Sequence, residues 1–127
     1  MYRTKIEDLK TWKNSVSRKP LIIRGARQVG KTWLMKEFGR IHYEQTVYIN
    51  FEKDKRFHSL FTDDFDIKRI ITALKAISGL TIVPEKTLII FDEIQALPEA
   101  VTALKYFQED APFYHIIAAG SLLGTAL

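Results

Sequence analysis

Leu21-Ile22-Ile23-Arg24-Gly25-Ala26-Arg27-Gln28-Val29-Gly30-Lys31-Thr32 is the stretch that decides the fold. Its first three residues are a short apolar run of the kind that forms a strand buried on both faces. A turn follows at Gly25, and a helical stretch runs from about Lys31 to Arg40. Between strand and helix the residues satisfy G-x-x-x-x-G-K-[ST], a phosphate-binding loop. Gly25 and Gly30 can adopt backbone angles that turn successive N–H groups inward, forming an anion nest at a helix N-terminus. Lys31 is long enough to reach β- and γ-phosphates, and the Thr32 hydroxyl suits Mg²⁺. The expected nucleotide-contacting set is therefore Gly25, Ala26, Arg27, Gln28, Val29, Gly30, Lys31, Thr32 and Trp33. Chance placement of such a motif is expected in about 0.4% of chains of this length at average composition, so coincidence is a weak competitor.

Outward from this stretch, strands alternate with helices. Residues 46–51 read as a second strand, residues 87–91 as a third and residues 115–119 as a fourth. Residues 64–78 read as a helix with Ile67, Ile70, Ile71, Leu74 and Ile77 on one face, closed by Gly79. Pro98 opens another helix, carrying Val101, Leu104, Phe107 and Gln108. Ahead of the first strand, Ile6, Leu9, Lys10, Lys13 and Val16 fall at helical spacing, ending before Arg18-Lys19-Pro20. Continuously apolar strands separated by helices imply a parallel sheet covered on both faces, an α/β fold. No repeat, low-complexity tract or linker divides the chain, so residues 1–127 read as one domain with residues 1–19 as a helical lead-in.

The third strand ends in Asp92-Glu93. An apolar strand closed by two carboxylates is the Walker B pattern. Asp92 would face the same crevice as the phosphate loop and hold Mg²⁺ through a water, while Glu93 would orient or deprotonate the attacking water. A solvated acidic turn is the competing reading. The fourth strand ends Ala118-Ala119-Gly120-Ser121, placing Ser121 where a polar side chain can bond the γ-phosphate or the water. A simple Gly-Ser reversal competes here. Asn50, closing the second strand, is a weaker candidate for pairing with Glu93. His42, His58 and His115 have no metal-ligand spacing and receive no catalytic role. Trp12, Trp33 and Phe38 read as packing residues, with Trp33 expected to seat its helix on the sheet.

Composition narrows the classes further. The chain has 46% hydrophobic and 27% charged residues, an ordinary globular balance, and no cysteine, which excludes disulfide scaffolds, thiol catalysis and Cys-based metal sites. No apolar run reaches 18 residues, so no membrane partner is expected and a cytoplasmic location is the default. The net charge of +4 hides an asymmetry: residues 1–60 carry 14 Lys and Arg against 6 Asp and Glu, residues 61–127 carry 5 against 9. The first half favours anions, either a polyphosphate or nucleic acid, although a solvated basic helix face explains the charge equally well.

With these motifs in place, the sequence resembles the AAA-like P-loop ATPases of bacteria and archaea that are fused to an uncharacterised downstream domain. The resemblance runs through PLIIRGARQVGKTWL at 20–34, LIIFDEIQALPEA at 88–100, LKYFQED at 104–110 and AAGSLLG at 118–124. It implies a three-layer P-loop NTPase sandwich of the additional-strand, catalytic-glutamate type, in which the Ser121 strand lies between the phosphate-loop strand and the Asp92 strand. It also implies ATP and Mg²⁺ as cofactors, Glu93, Lys31 and Ser121 as catalytic residues, and Thr32 and Asp92 at the metal. Relatives continue through a further strand, an arginine finger or second sensor, and a C-terminal domain. The chain is therefore expected to be truncated after the sensor-1 strand, leaving the strand at 21–23 at an edge, with the downstream domain and homo-oligomer copies as partners.

Three functions follow from this reading. The leading one is Mg-dependent ATP binding with slow hydrolysis, because no arginine finger is in evidence. The second is a nucleotide-gated module that binds DNA or a protein. The third, a small-molecule kinase, fits less well because Glu93 beside Asp92 suits water activation. The absence of N-K-x-D favours ATP over GTP.

Overall fold

The computed structural model describes residues 2–24 and 30–121, with backbone alone for residues 2–4. Four strands, β1 (Leu21–Arg24), β2 (Gln45–Asn50), β3 (Thr87–Asp92) and β4 (His115–Gly120), form one sheet in the order β1-β4-β3-β2. Every pairing is parallel: Leu21 lies beside Ile117, Ile89 beside Ile116, and Asn50 beside Asp92. The last strand is thus inserted between the first and the third, as the resemblance implied, and β1 stands at one end among the described strands.

Helices α1 (Tyr2–Lys13) and α2 (Lys31–His42) cover one face, while α3 (Ile67–Ser78) and α4 (Pro98–Asp110) cover the other. Strand alternation sorts the core between them. Leu88, Ile90, Ile117 and Ala119 join Leu34, Met35 and Phe38 on the α2 side. Ile89, Phe91, Ile116 and Ala118 join Ile70, Leu74, Leu104 and Phe107 on the other. All of β3 and β4 is buried, which explains why their sequences show no polar alternation. The result is a three-layer α/β domain.

Local signals set the ends of the elements. Asp66 caps α3 by accepting from the Lys68 N–H at 3.2 Å, and Gly79 closes it in the left-handed conformation at φ 73°. Pro98 opens α4, where its missing N–H costs nothing. Gly39, within α2, allows that helix to lie directly on Thr46 and Leu88.

Some expectations need correcting. α1 ends at Lys13, so Val16 lies beyond the helix and is exposed rather than continuing its apolar stripe. Gln108 is exposed, the buried side of α4 being Ala100, Ala103, Leu104 and Phe107. Trp33 is 53% exposed and does not seat α2 on the sheet; Leu34, Met35 and Phe38 do. A 3-10 helix at Lys55–Phe61, absent from the sequence reading, buries Phe57, Leu60 and Phe61 against the Phe91 face.

Candidate functional site

The site begins where the chain enters α2. Gly30 sits at φ 103°, ψ −19°, a left-handed conformation that penalises any side chain, and its carbonyl accepts from the Leu34 N–H at 2.8 Å. Lys31 and Thr32 then occupy the first turn, half-buried at the N-terminal end of the helix. Gly25, Ala26, Arg27, Gln28 and Val29 lie outside the described residues.

Across the sheet edge, Asp92 closes β3 and is 2% exposed. A buried carboxylate requires donors, and three meet it. Thr32 Oγ1 donates to Oδ2 at 2.7 Å, Tyr48 Oη donates to the same oxygen at 2.7 Å, and the Glu93 N–H donates to Oδ1 at 2.9 Å. Residues distant in sequence are thereby drawn together: the first turn of α2, the middle of β2 and the end of β3. Glu93 reverses the chain at φ 51°, ψ 47°, sparsely populated backbone for a residue with a side chain, and its Oε1 accepts from Gln95 Nε2 at 2.8 Å. Thr32, Tyr48, Asp92 and Glu93 line a cleft of about 440 Å³, with Lys36 and Lys53 adding positive charge to its wall.

The remaining candidates divide. Ser121 follows β4, the neighbour of β3, and so reaches the same carboxyl edge of the sheet, half-buried. Among the described residues the hydrogen bonds of Asn50 go elsewhere than to Glu93: its Oδ1 accepts from the Glu52 and Lys53 N–H groups at 3.0 Å each, and its amide donates to Tyr48 Oη at 3.5 Å. Trp33, next to Thr32, is about half exposed. Sequence reasoning passed over Tyr48 and Gln95. Tyr48 carried one available signal: it shares the strand face of Asn50, two residues on, which the parallel register sets beside Asp92.

Burial pushes the Tyr48 hydroxyl up to about 12, and its bond to Asp92 adds to the shift, so the phenol stays protonated as a donor. The Thr32 hydroxyl and the Asp92 carboxylate are hard oxygen donors that suit Mg²⁺, an ion that keeps several waters and takes few protein ligands. Among the described residues no group of three or more His, Cys, Asp or Glu offers a denser metal cage.

A parallel sheet whose carboxyl edge carries this helix start and strand-end carboxylate places the cleft where open α/β proteins bind ligands. Residues 17–127 match the family model described as AAA domain, and the chain belongs to that family. Its fold is similar to that of the Aeropyrum pernix ORC1 protein solved in complex with DNA, with a TM-score of 0.55 and 15% identity over 97% of this chain and 38% of that one. C. elegans PCH-2 is a more distant neighbour, with a TM-score of 0.47 and 17% identity over 98% of this chain and 35% of that one. The chain thus spans well under half the length of either. No curated protein sequence matches it. Among the described residues no helix is long and apolar enough to cross a membrane.

Proposed function

We propose that this AAA domain binds Mg-ATP at the carboxyl edge of its sheet and hydrolyses it slowly. The observation that carries the reading is the 2.7 Å bond from Thr32 Oγ1 to Asp92 Oδ2, which unites the helix after the phosphate loop with the strand-end carboxylate. Residues 25–30 and the first-turn N–H groups of Lys31, Thr32 and Trp33 would cradle the phosphates, with the Lys31 ammonium against their charge. Thr32 and Asp92 would hold Mg²⁺, which when bound neutralises phosphate charge and orients the transferred group. Glu93 orients the attacking water and takes its proton, and Ser121 hydrogen-bonds the γ-phosphate or that water. We read the location as cytoplasmic and residues 1–127 as one ATPase unit.

Slow turnover is expected because an arginine finger contributes about 10³–10⁵ in rate and none is assigned among the described residues. Equilibrium binding tests the reading: micromolar Mg-ATP affinity that disappears in Lys31→Ala supports it, and a folded chain that binds no nucleotide refutes it. A steady-state rate near 1 s⁻¹, on the order reached by fully assembled enzymes, would contradict the slow-turnover part.

A second reading, a nucleotide-gated module for DNA, draws support from the 14 basic residues in positions 1–60. Charge reversal at Lys5, Lys10 and Lys13 should then weaken DNA binding and flatten its salt dependence; unchanged affinity and slope remove nucleic acid from the account.

A further inference from the structure

Tyr48 belongs to no motif, yet it supplies one of the three hydrogen bonds on the site's buried carboxylate. We propose that Tyr48 is a positioning residue: its hydroxyl fixes the orientation of Asp92 so that this carboxylate presents one constant acceptor position to the metal, without Tyr48 touching metal or nucleotide. The proposal rests on the reading of the cleft as a Mg-nucleotide site.

The geometry argues as follows. A carboxylate has about four acceptor positions. Among the described residues, Thr32 and Tyr48 take both positions on Oδ2, and the Glu93 N–H takes one on Oδ1. One position on Oδ1 is left. Without the phenol, Oδ2 would keep only the Thr32 hydroxyl, and Thr32 is also the residue that would bind the ion. Among the described residues, rotation of the carboxyl would then be restrained from outside the metal site by the Glu93 amide alone. Tyr48 is the independent anchor.

Its own placement is well determined. Tyr48 lies in β2, paired with Ile90 of β3, so the phenol rides on the strand adjacent to the one that ends in Asp92. The Lys36 ammonium sits 4.0 Å from the ring centroid, one helical turn beyond Thr32 on α2. The ring is thus held from the helix and the hydroxyl from the strand end. The hydroxyl gives its hydrogen to Oδ2 at 2.7 Å, so the phenol serves as a donor and not as a ligand. Residues that orient a metal ligand in this manner commonly cost 10- to 100-fold in metal affinity when removed.

The test is a Mg²⁺ titration of nucleotide binding in wild type, Tyr48→Phe and Lys31→Ala, with affinity in excess EDTA measured alongside. Tyr48→Phe keeps the ring under Lys36, and Tyr48→Leu serves as the second variant if the first is unstable. The expected result is a Mg²⁺ half-saturation raised by about tenfold or more in Tyr48→Phe, with metal-free nucleotide affinity unchanged. In an Asp92→Ala background the Tyr48 substitution should have no further effect. A purely structural phenol would lower the melting temperature and weaken binding with and without metal alike; that pattern overturns the proposal. Metal-dependent binding in wild type with an unaltered half-saturation in Tyr48→Phe overturns it alone. Absence of nucleotide binding in wild type, with Lys31→Ala no different, overturns the underlying site reading and this proposal together.

Discussion

Gly39→Ala sets two magnitudes against each other at the helix that carries Lys31 and Thr32. Replacing glycine by alanine inside an exposed helix stabilises by about 1 kcal/mol, because the unfolded chain loses less freedom on folding. Gly39, however, is buried where α2 lies against the sheet. A methyl built there collides with Thr46 Oγ1, approaches Thr46 Cγ2 at 3.0 Å and reaches Leu88 Cδ2 at 3.1 Å. Overpacking of this kind costs about 1–3 kcal/mol. The clash should win, leaving a net loss of up to about 2 kcal/mol and a melting temperature lower by up to roughly 8 °C. Relief would require α2 to lift away from β2, which would stretch the Thr32–Asp92 bond. Urea unfolding of wild type, Gly39→Ala, Thr46→Ala and the double variant reads the coupling directly. Removing the Thr46 hydroxyl and methyl should cancel most of the penalty. If Gly39→Ala proves as stable as wild type, or the penalty persists in the Thr46→Ala background, close approach of helix and strand is not what the glycine provides.

Two further perturbations probe other parts of the structure. His115 is buried between Trp12 and Tyr43, with Nδ1 2.6 Å from the Tyr43 hydroxyl. Burial lowers its pKa to about 4, with Arg18 and Lys13 adding to the shift. The unfolded chain, titrating near 6.5, then binds a proton that the folded chain refuses. The stabilisation is complete above pH 6.5 and declines between 6.5 and 4 at up to about 1.4 kcal/mol per pH unit; His115→Gln should flatten that slope, and equal slopes in urea titrations across pH would discard the assignment. Phe91 is fully buried, its ring 5.3 Å from that of Phe51, 6.2 Å from Phe61 and 6.4 Å from Phe107. Phe91→Ala should cost about 3–5 kcal/mol, a large share of a domain's stability, and a denaturant midpoint shift worth less than 1 kcal/mol would place the core elsewhere.

The features legible in the sequence were those set by local chemistry. The turn at Gly30, the stop at Gly79 and the start at Pro98 each depend on a few adjacent residues, so pattern alone located them, whereas the start of α3 at Ile67, capped by Asp66, was read three residues too early. Continuous apolar runs marked β3 and β4 for the same reason. The 3-10 helix at Lys55–Phe61 escaped because it is too short to display a period, although Phe57, Leu60 and Phe61 fall three and four apart. Val16 continued a helical spacing that the backbone abandons after Lys13. Trp33 shows the limit of size as a guide to burial: its large side chain is 53% exposed while Leu34 and Met35 are buried. Tyr48 was hidden for another reason. In a strand, tyrosine is an ordinary β-former, and only the pairing of β2 with β3 reveals what its hydroxyl meets.

The insertion of β4 between β1 and β3 also has a temporal consequence. Leu21 finds its neighbour in Ile117, nearly a hundred residues away, and β1 has no other pairing partner among the described residues. On a ribosome adding about 5–20 residues per second, β1 waits some 5–20 s before β4 is even made. During that interval β2 and β3 can already pair, but their order leaves vacant the place that links them to β1. The carboxyl edge that joins β1 to Asp92 therefore cannot be completed before β4 is made, and ordering of β4 is the event on which it depends.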